Sequence, residues 1–255
     1  MSHKWGKTIP LSLPRRLICD FLRFAQRVPS LPVQRVMNLS PLRDARRQAT
    51  PRVSWLVLFL KGYARVAAQI PELRRAYLPF PFARLYEHPI SIASVAFERD
   101  YQGEAAVFFG HFRQPETETL TQLDEALRHF KEAPLEEISL VRRALMVSRL
   151  PRPLRRLIWW LGLNLSGSKR ARRMGTFGVS VYSSQGAESL HPLSPLTTTL
   201  NYGVIREDGT VPVRIIYDHR VMDGTTVARA LALLEETLNH DIRAELIGAA
   251  SARAA

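Results

Sequence analysis

The segment that decides the fold is Tyr217-Asp218-His219-Arg220-Val221-Met222-Asp223-Gly224. It follows an apolar run, Val211 to Tyr217, that is interrupted by one arginine and predicts a strand. After it, Thr225 to Leu238 carries apolar residues at helical spacing, and Asp223 supplies a residue type that caps helix N-termini. The pattern therefore predicts that His219 lies at a strand-to-helix junction, where chains commonly present catalytic groups.

Two further blocks join this segment in a family resemblance. The segment and its Ala/Leu-rich helix closely resemble the signature of CoA-dependent acyltransferases of the chloramphenicol acetyltransferase-like superfamily, above all the catalytic domain of 2-oxoacid dehydrogenase acyltransferases. Gly175-Thr176-Phe177-Gly178-Val179-Ser180 is similar to the family's G-T-F-T-I-S strand. Arg15-Arg16-Leu17-Ile18, with Val28-Pro29 and Asn38-Leu39, resembles the first helix and strand more weakly. The resemblance covers Leu11 to Leu246, without the lipoyl and subunit-binding domains that precede this domain in dehydrogenase-complex acyltransferases.

The resemblance implies a role for each residue of a catalytic set. His219 would act as the general base on the acceptor without a covalent acyl-enzyme, and the imidazole pKa near neutrality suits that task. Ser180 would donate its hydroxyl to the tetrahedral oxyanion. Asp223 would support the site structurally by pairing with an arginine, for which both Arg15 and Arg16 are candidates. The acyl carrier would be coenzyme A, as the acyl-CoA co-substrate.

The chain departs from the family pattern on the acceptor side. Ser180-Val181-Tyr182-Ser183 stands where the family usually reads S-N-L-G, and Gly103-Glu104-Ala105-Ala106-Val107 replaces the strand that lines the lipoamide channel. The sequence therefore predicts an acyltransferase for a small-molecule or carrier acceptor. One alternative is a non-catalytic oligomeric relative acting as a scaffold or membrane-surface module, and another is a lipoamide acyltransferase of a 2-oxoacid dehydrogenase complex.

Charge is unevenly distributed along this chain of net charge +13. No acidic residue occurs between Ile138 and Ala187, a stretch rich in arginine. Within it, four basic residues are candidates for binding the CoA phosphates: Lys169, Arg170, Arg172 and Arg173. A solvated basic face and an acidic membrane surface are alternatives, and no nucleic-acid reader motif accompanies the charge, so nucleic acid is not expected.

A short basic helix, predicted over Leu154 to Leu165, carries Trp159 and Trp160. Arginines beside tryptophans and leucines are typical of a helix at a membrane surface, so peripheral membrane contact is one interpretation. The other is that the tryptophans fill a core or a subunit contact. The family assembles as trimers with the active site between subunits, so we expect a homotrimer.

The predicted fold is of the α/β class, an α+β two-layer sandwich with a mixed sheet and helices packed on one face, since strands and helices are mixed without strict alternation. The domain would cover 11–246, between an N-terminal extension, 1–10, and a disordered tail, 247–255. Cys19, in an apolar-periodic helix, is predicted to be buried. A single cysteine and the absence of metal-ligand spacing among the histidines predict no disulfide framework, no metal site and a cytoplasmic protein.

Overall fold

The computed structural model describes residues 6–182 and 185–254. The helices are α1 (Leu13–Ala25), α2 (Ser40–Gln48), α3 (Trp55–Gln69), α4 (Leu120–Glu132), α5 (Ser139–Arg149), α6 (Arg152–Asn164), α7 (Gly167–Met174), α8 (Gly224–Thr237) and α9 (Arg243–Ala254). The strands are β1 (Ser30–Asn38), β2 (Arg75–Leu78), β3 (Arg84–Glu87), β4 (Ile92–Tyr101), β5 (Glu104–Arg113), β6 (Phe177–Val179), β7 (Thr198–Tyr202) and β8 (Thr210–Asp218).

Six strands form one mixed sheet in the order β1-β8-β7-β6-β4-β5. The pairs β4–β6 and β6–β7 are parallel, and the other neighbours are antiparallel. Strands β2 and β3 form a separate antiparallel pair. The predicted mixed sheet is confirmed, and His219 follows the last residue of β8 as expected from the sequence.

Alternating residues of the sheet build the main core against one helical layer. On β8, Val213 and Ile215 are fully buried in the same cluster as Leu200 of β7 and Phe177 of β6. Helices α3, α4 and α8 cover this face, and α8 contributes a buried stripe that follows helical spacing: Val227, Ala230, Leu231 and Leu234. This is the layer of helices on one face that the sequence predicts.

A second group of helices lies against the other face of the sheet, at its β4–β5 end. Phe21 of α1 stacks on Phe109 of β5 at 5.0 Å, and Trp159 of α6 stacks on Phe24 of α1 at 5.9 Å. Asp20 of α1 accepts a hydrogen bond of 2.5 Å from Arg155 of α6. Because Asp20 faces inward to meet this arginine, its neighbour Cys19 is exposed, and the prediction that Cys19 is buried was wrong.

The ends of the chain also differ from expectation. Most of the segment 247–255, predicted to be disordered, belongs to α9, because its alanines have the highest intrinsic helix propensity. Residues 6–10 have no regular structure. Ser183, one of the residues that departs from the family pattern, lies outside the described residues. None of the described helices combines the length and the apolar character needed to cross a membrane.

The partly buried side chain of His111 should make the free energy of unfolding decrease at acid pH. Loss of solvation lowers the pKa of His111 to about 4, opposed by a hydrogen bond to the Met174 backbone. Between the ordinary value of 6.5 and about 4, the unfolded chain binds a proton that the folded chain does not, so stability falls as the pH falls through that range. Replacing His111 with Gln should reduce this loss by roughly 3 kcal/mol.

Urea unfolding from pH 7.5 to pH 4.5 measures that difference. The matched control is His129→Gln on the exposed face of α4, which should retain the pH dependence of the unmodified protein. Equal acid destabilisation of His111→Gln and the unmodified chain would contradict the assignment.

Candidate active site

The imidazole of His219 lies just past the end of β8 and is half exposed. Its backbone N–H donates to the Pro29 carbonyl at 3.2 Å, which holds the loop against the start of β1. Its ring Nδ1 lies 3.2 Å from the Met222 carbonyl oxygen. A carbonyl can only accept, so Nδ1 carries the proton and the lone pair is on Nε2. In the neutral imidazole, the nitrogen that can act as a base is therefore Nε2.

A buried carboxylate fixes the loop that carries this histidine. Asp218 is 1% exposed and accepts hydrogen bonds from the backbone N–H, Nε and Nη2 of Arg220. The Arg220 guanidinium lies over the ring of Tyr77 of β2, 4.4 Å from its centre. Asp218 and Arg220 thus hold the loop, and no sequence motif identified the contribution of Tyr77.

Asp223 is the N-cap residue of α8, in extended conformation, although its side chain makes no capping hydrogen bond. The carboxylate is 85% exposed, and its Oδ1 lies 3.5 Å from His219 Nδ1. Neither predicted arginine meets it within the chain: Arg15 pairs with Glu104 at 3.1 Å, and Arg16 donates to the Leu11 carbonyl. Within one chain, Asp223 adds an acceptor beside Nδ1 and leaves most of its surface open.

Ser180 follows β6 and lines a cavity of about 330 Å³ on the second face of the sheet. Its backbone N–H donates to the Leu200 carbonyl of β7, and its own carbonyl accepts from the Asn201 side chain at 2.6 Å. The strand starts from Gly175, whose φ of +87° and close approach to the Ile92 carbonyl admit only glycine. Residues Glu104 to Val107, at the start of β5, line the same cavity.

The sheet separates Ser180 and His219 within one chain. The register places Val179 beside Leu200 and Leu200 beside Ile215, so Ser180 is level with Arg214. His219 lies five residues further along the chain, about 17 Å along the strand direction at roughly 3.4 Å per strand residue. The chain therefore carries a hydroxyl half-site and an imidazole half-site that do not meet.

The basic segment divides into one buried and three exposed side chains. Arg170 is 6% exposed and donates to the carbonyls of Tyr77, Leu163 and Pro195. Burial lowers its pKa to about 10, against the opposing charge of Asp218. Arg170 is therefore unavailable for the predicted contact with CoA phosphates. The exposed members are Lys169, Arg172 and Arg173.

Two further predictions concern metals and the tryptophans. Among the described residues, no group of three or more His, Cys, Asp or Glu side chains is placed to hold a metal ion. Trp159 packs on α1, and the rings of Trp160 and Phe80 meet edge to face with their centres 5.5 Å apart. Both tryptophans thus make contacts within the protein, which favours the packing interpretation over a membrane surface.

Comparison with known proteins identifies the fold. No family model matches the chain, and no curated protein matches it. Among solved structures it resembles the dihydrolipoamide acetyltransferase of Azotobacter vinelandii, studied for a serine, a histidine and an asparagine in its catalytic mechanism: TM-score 0.66, 18% identity, 95% of this chain and 94% of that chain. The cubic core of a pyruvate dehydrogenase multienzyme complex matches with a TM-score of 0.64 and 20% identity, over 95% of this chain and 96% of that chain. A truncated catalytic core of the 2-oxoacid dehydrogenase multienzyme complex from Thermoplasma acidophilum matches with a TM-score of 0.65 and 14% identity, over 92% of this chain and 99% of that chain.

The chain therefore has the fold of these acyltransferase catalytic cores, and the fold implied by its sequence motifs is confirmed. The likeness extends over nearly the full length of both partners in each comparison. At these sequence identities, similarity of backbone defines the architecture and leaves chemistry to be argued from the residues themselves.

The buried position of Arg170 generates a stability prediction. Arg170→Met should destabilise the fold by about 3 kcal/mol or more, because it leaves buried carbonyls without a donor and removes a charge that faces Asp218. Arg172→Met, the same substitution at an exposed position on the same helix, should change stability by less than about 0.5 kcal/mol. Urea unfolding of both variants measures the difference, and equal stabilities would show that Arg170 is not a structural contact.

Proposed function

We propose that this protein is a CoA-dependent acyltransferase that moves an acyl group between a CoA thioester and an acceptor. The observation that carries the proposal is the geometry of His219, whose Nδ1 is committed to the Met222 carbonyl while its side chain stays half exposed. This arrangement supports a base rather than a packed structural histidine. A serine at the matching motif position, lining a cavity in the fold of acyltransferase cores, supports the same chemistry.

In the proposed reaction, Nε2 of His219 takes the proton of the acceptor as the acceptor attacks the thioester carbonyl. The Ser180 hydroxyl donates a hydrogen bond to the oxyanion that forms. Collapse of the tetrahedral intermediate breaks the carbon–sulfur bond, and the imidazolium returns the proton to the CoA thiolate. The acyl group passes directly to the acceptor, and no covalent bond to the protein forms.

The active site is proposed to form between copies of the chain, in a homotrimer. Support comes from the separation of Ser180 and His219, which a single chain cannot close without breaking the β7–β8 register. The open carboxylate of Asp223 offers a further contact to a neighbouring copy. The similarity to the cubic core of a multienzyme complex supports assembly of this chain into an oligomer.

The CoA phosphates are proposed to meet Lys169, Arg172 and Arg173, which are exposed on one short helix and attract polyanions. The acceptor is proposed to enter the cavity beside Ser180. A dihydrolipoamide acceptor is the second candidate, favoured by the fold shared with the dihydrolipoamide acetyltransferase of Azotobacter vinelandii. A scaffold without activity is the third. The cytoplasmic location and peripheral membrane contact stay predictions.

Replacing either half of the proposed site should reduce turnover. His219→Ala should lower acyl transfer by about 10²–10⁴-fold, the usual contribution of a general base. Ser180→Ala should lower it by about 10²–10³-fold with little change in CoA affinity, because the hydroxyl is needed mainly in the transition state. Thiol release from an acyl-CoA panel, with dihydrolipoamide among the acceptors, provides the rates.

His129→Ala, at an exposed position on α4, is the control for the loss of an imidazole. Full activity of the His219→Ala protein would remove the base from the mechanism. A covalent acyl group on Ser180, sought by mass spectrometry with a slow acceptor, would replace direct transfer by a nucleophilic mechanism.

A mixed assembly tests the shared site directly. Chains carrying His219→Ala and chains carrying Ser180→Ala should each show the strongly reduced rates predicted above when assembled alone. Co-expressed with different affinity tags and purified through both, they should recover part of the activity, because some interfaces then pair an intact histidine with an intact serine. Light scattering should report a mass near three chains. No recovery in a doubly tagged assembly would show that both groups act within one chain.

A further inference from the structure

A second cavity, of about 420 Å³, lies behind the Ser180 cavity and beneath helices α5, α6 and α7. Its volume falls in the range of about 300–1,000 Å³ that small-molecule sites occupy. Its walls are mainly apolar side chains from α1, α5 and α6: Leu17, Leu140, Val147, Ile158, Trp159 and Leu163. No step of the proposed reaction uses this space.

The two cavities adjoin. Ser94 of β4, Phe109 of β5 and Met174 at the end of α7 line both of them. The sheet register places Ser94 beside Gly178, two residues before Ser180, so the boundary lies about 7 Å from the hydroxyl. A chain attached to a carbonyl at Ser180 can therefore pass Met174 and continue into the second cavity.

The distribution of charge around the second cavity suits a ligand with an apolar acyl chain and a negatively charged CoA moiety. The titratable side chains that line this cavity are His111, Arg143, Arg172 and Arg173. His111 is uncharged near neutral pH, because loss of solvation lowers its pKa to about 4. The three arginines are exposed, so their charges lie at the rim. The interior thus excludes charged groups, and the rim attracts phosphates.

The walls are held in place by contacts that do not depend on a ligand. The ion pair between Asp20 and Arg155, with both side chains at most 10% exposed, ties α6 to α1. Stacking of Trp159 on Phe24 joins the same two helices. The cavity is therefore a preformed space between packed helices.

We infer that this second cavity binds the hydrocarbon chain of a medium- or long-chain acyl thioester whose carbonyl lies at Ser180. The inference rests on the proposed function and gives it a substrate class. Each methylene that enters the cavity should strengthen binding about fourfold, since burial contributes about 0.8 kcal/mol per methylene and 1.4 kcal/mol is tenfold. An acetyl group ends in the first cavity, so it does not gain binding affinity from the second cavity.

The test compares chain lengths in turnover and in binding. Rates are measured by thiol release with acetyl-, octanoyl-, decanoyl- and palmitoyl-CoA. Affinity is measured by calorimetry with S-decyl-CoA, a thioether that cannot transfer its chain, against free CoA. In the unmodified protein, decanoyl-CoA should exceed acetyl-CoA in kcat/KM by at least tenfold, and S-decyl-CoA should bind at least tenfold more tightly than CoA.

Ala144→Phe places a ring in the cavity from α5 and should abolish both preferences while leaving acetyl-CoA turnover within about twofold. Ala144→Leu adds a smaller side chain to the cavity and serves as the test variant if Ala144→Phe does not fold. Ala244→Phe, at an exposed position of α9, is the matched control and should behave as the unmodified protein.

Equal affinities of S-decyl-CoA and CoA for the unmodified protein would overturn the inference. So would a chain preference that survives in folded Ala144→Phe, because the chain would then bind elsewhere. A binding preference that Ala144→Phe removes, combined with no turnover of any acyl-CoA, would support the cavity assignment and contradict the proposed function.

Discussion

The buried guanidinium of Arg170 is the contact on which the arrangement of this protein depends. It donates to carbonyls of Tyr77, Leu163 and Pro195, which belong to β2, α6 and the loop before β7. Its charge faces Asp218, the residue directly before His219. A charge is retained in an interior only where polar groups surround it. One side chain therefore ties β2, α6 and the loop before β7 together, and its charge acts on Asp218 beside the loop of the proposed base.

The order of the sheet decides how the chemistry is distributed. Since β7 lies between β6 and β8 and runs antiparallel to β8, Ser180 and His219 project at different levels of the sheet. One chain consequently presents two half-sites and an apolar cavity behind the first. Assembly would bring the half-sites together, and the helices beside the Ser180 strand would set which acyl group fits. In the proposed mechanism, base chemistry and substrate selection thus reside in separate parts of the same chain.

The strand before the histidine was predicted well. The run Val211 to Tyr217 became β8 with one residue added at each end, and the histidine loop and α8 followed it as expected. Helices α5 and α7 were not predicted. Their many arginines interrupt the periodic pattern of the apolar residues that pack against α1 and the sheet. The buried position of Asp20 was missed for a related reason: its partner Arg155 is 135 residues away in the chain.

By itself the sequence determined the local elements and predicted which residues are the candidate reactive groups, since a strand period, a cap residue and a motif are properties of neighbouring residues. Only the tertiary structure decided that Arg170 is buried while Arg172 and Arg173 are exposed. Successive residues of a helix point about 100° apart, so a run of basic residues in α7 must face both protein and solvent. Which of them faces inward depends on distant segments, and the separation of Ser180 from His219 depends on strand order for the same reason.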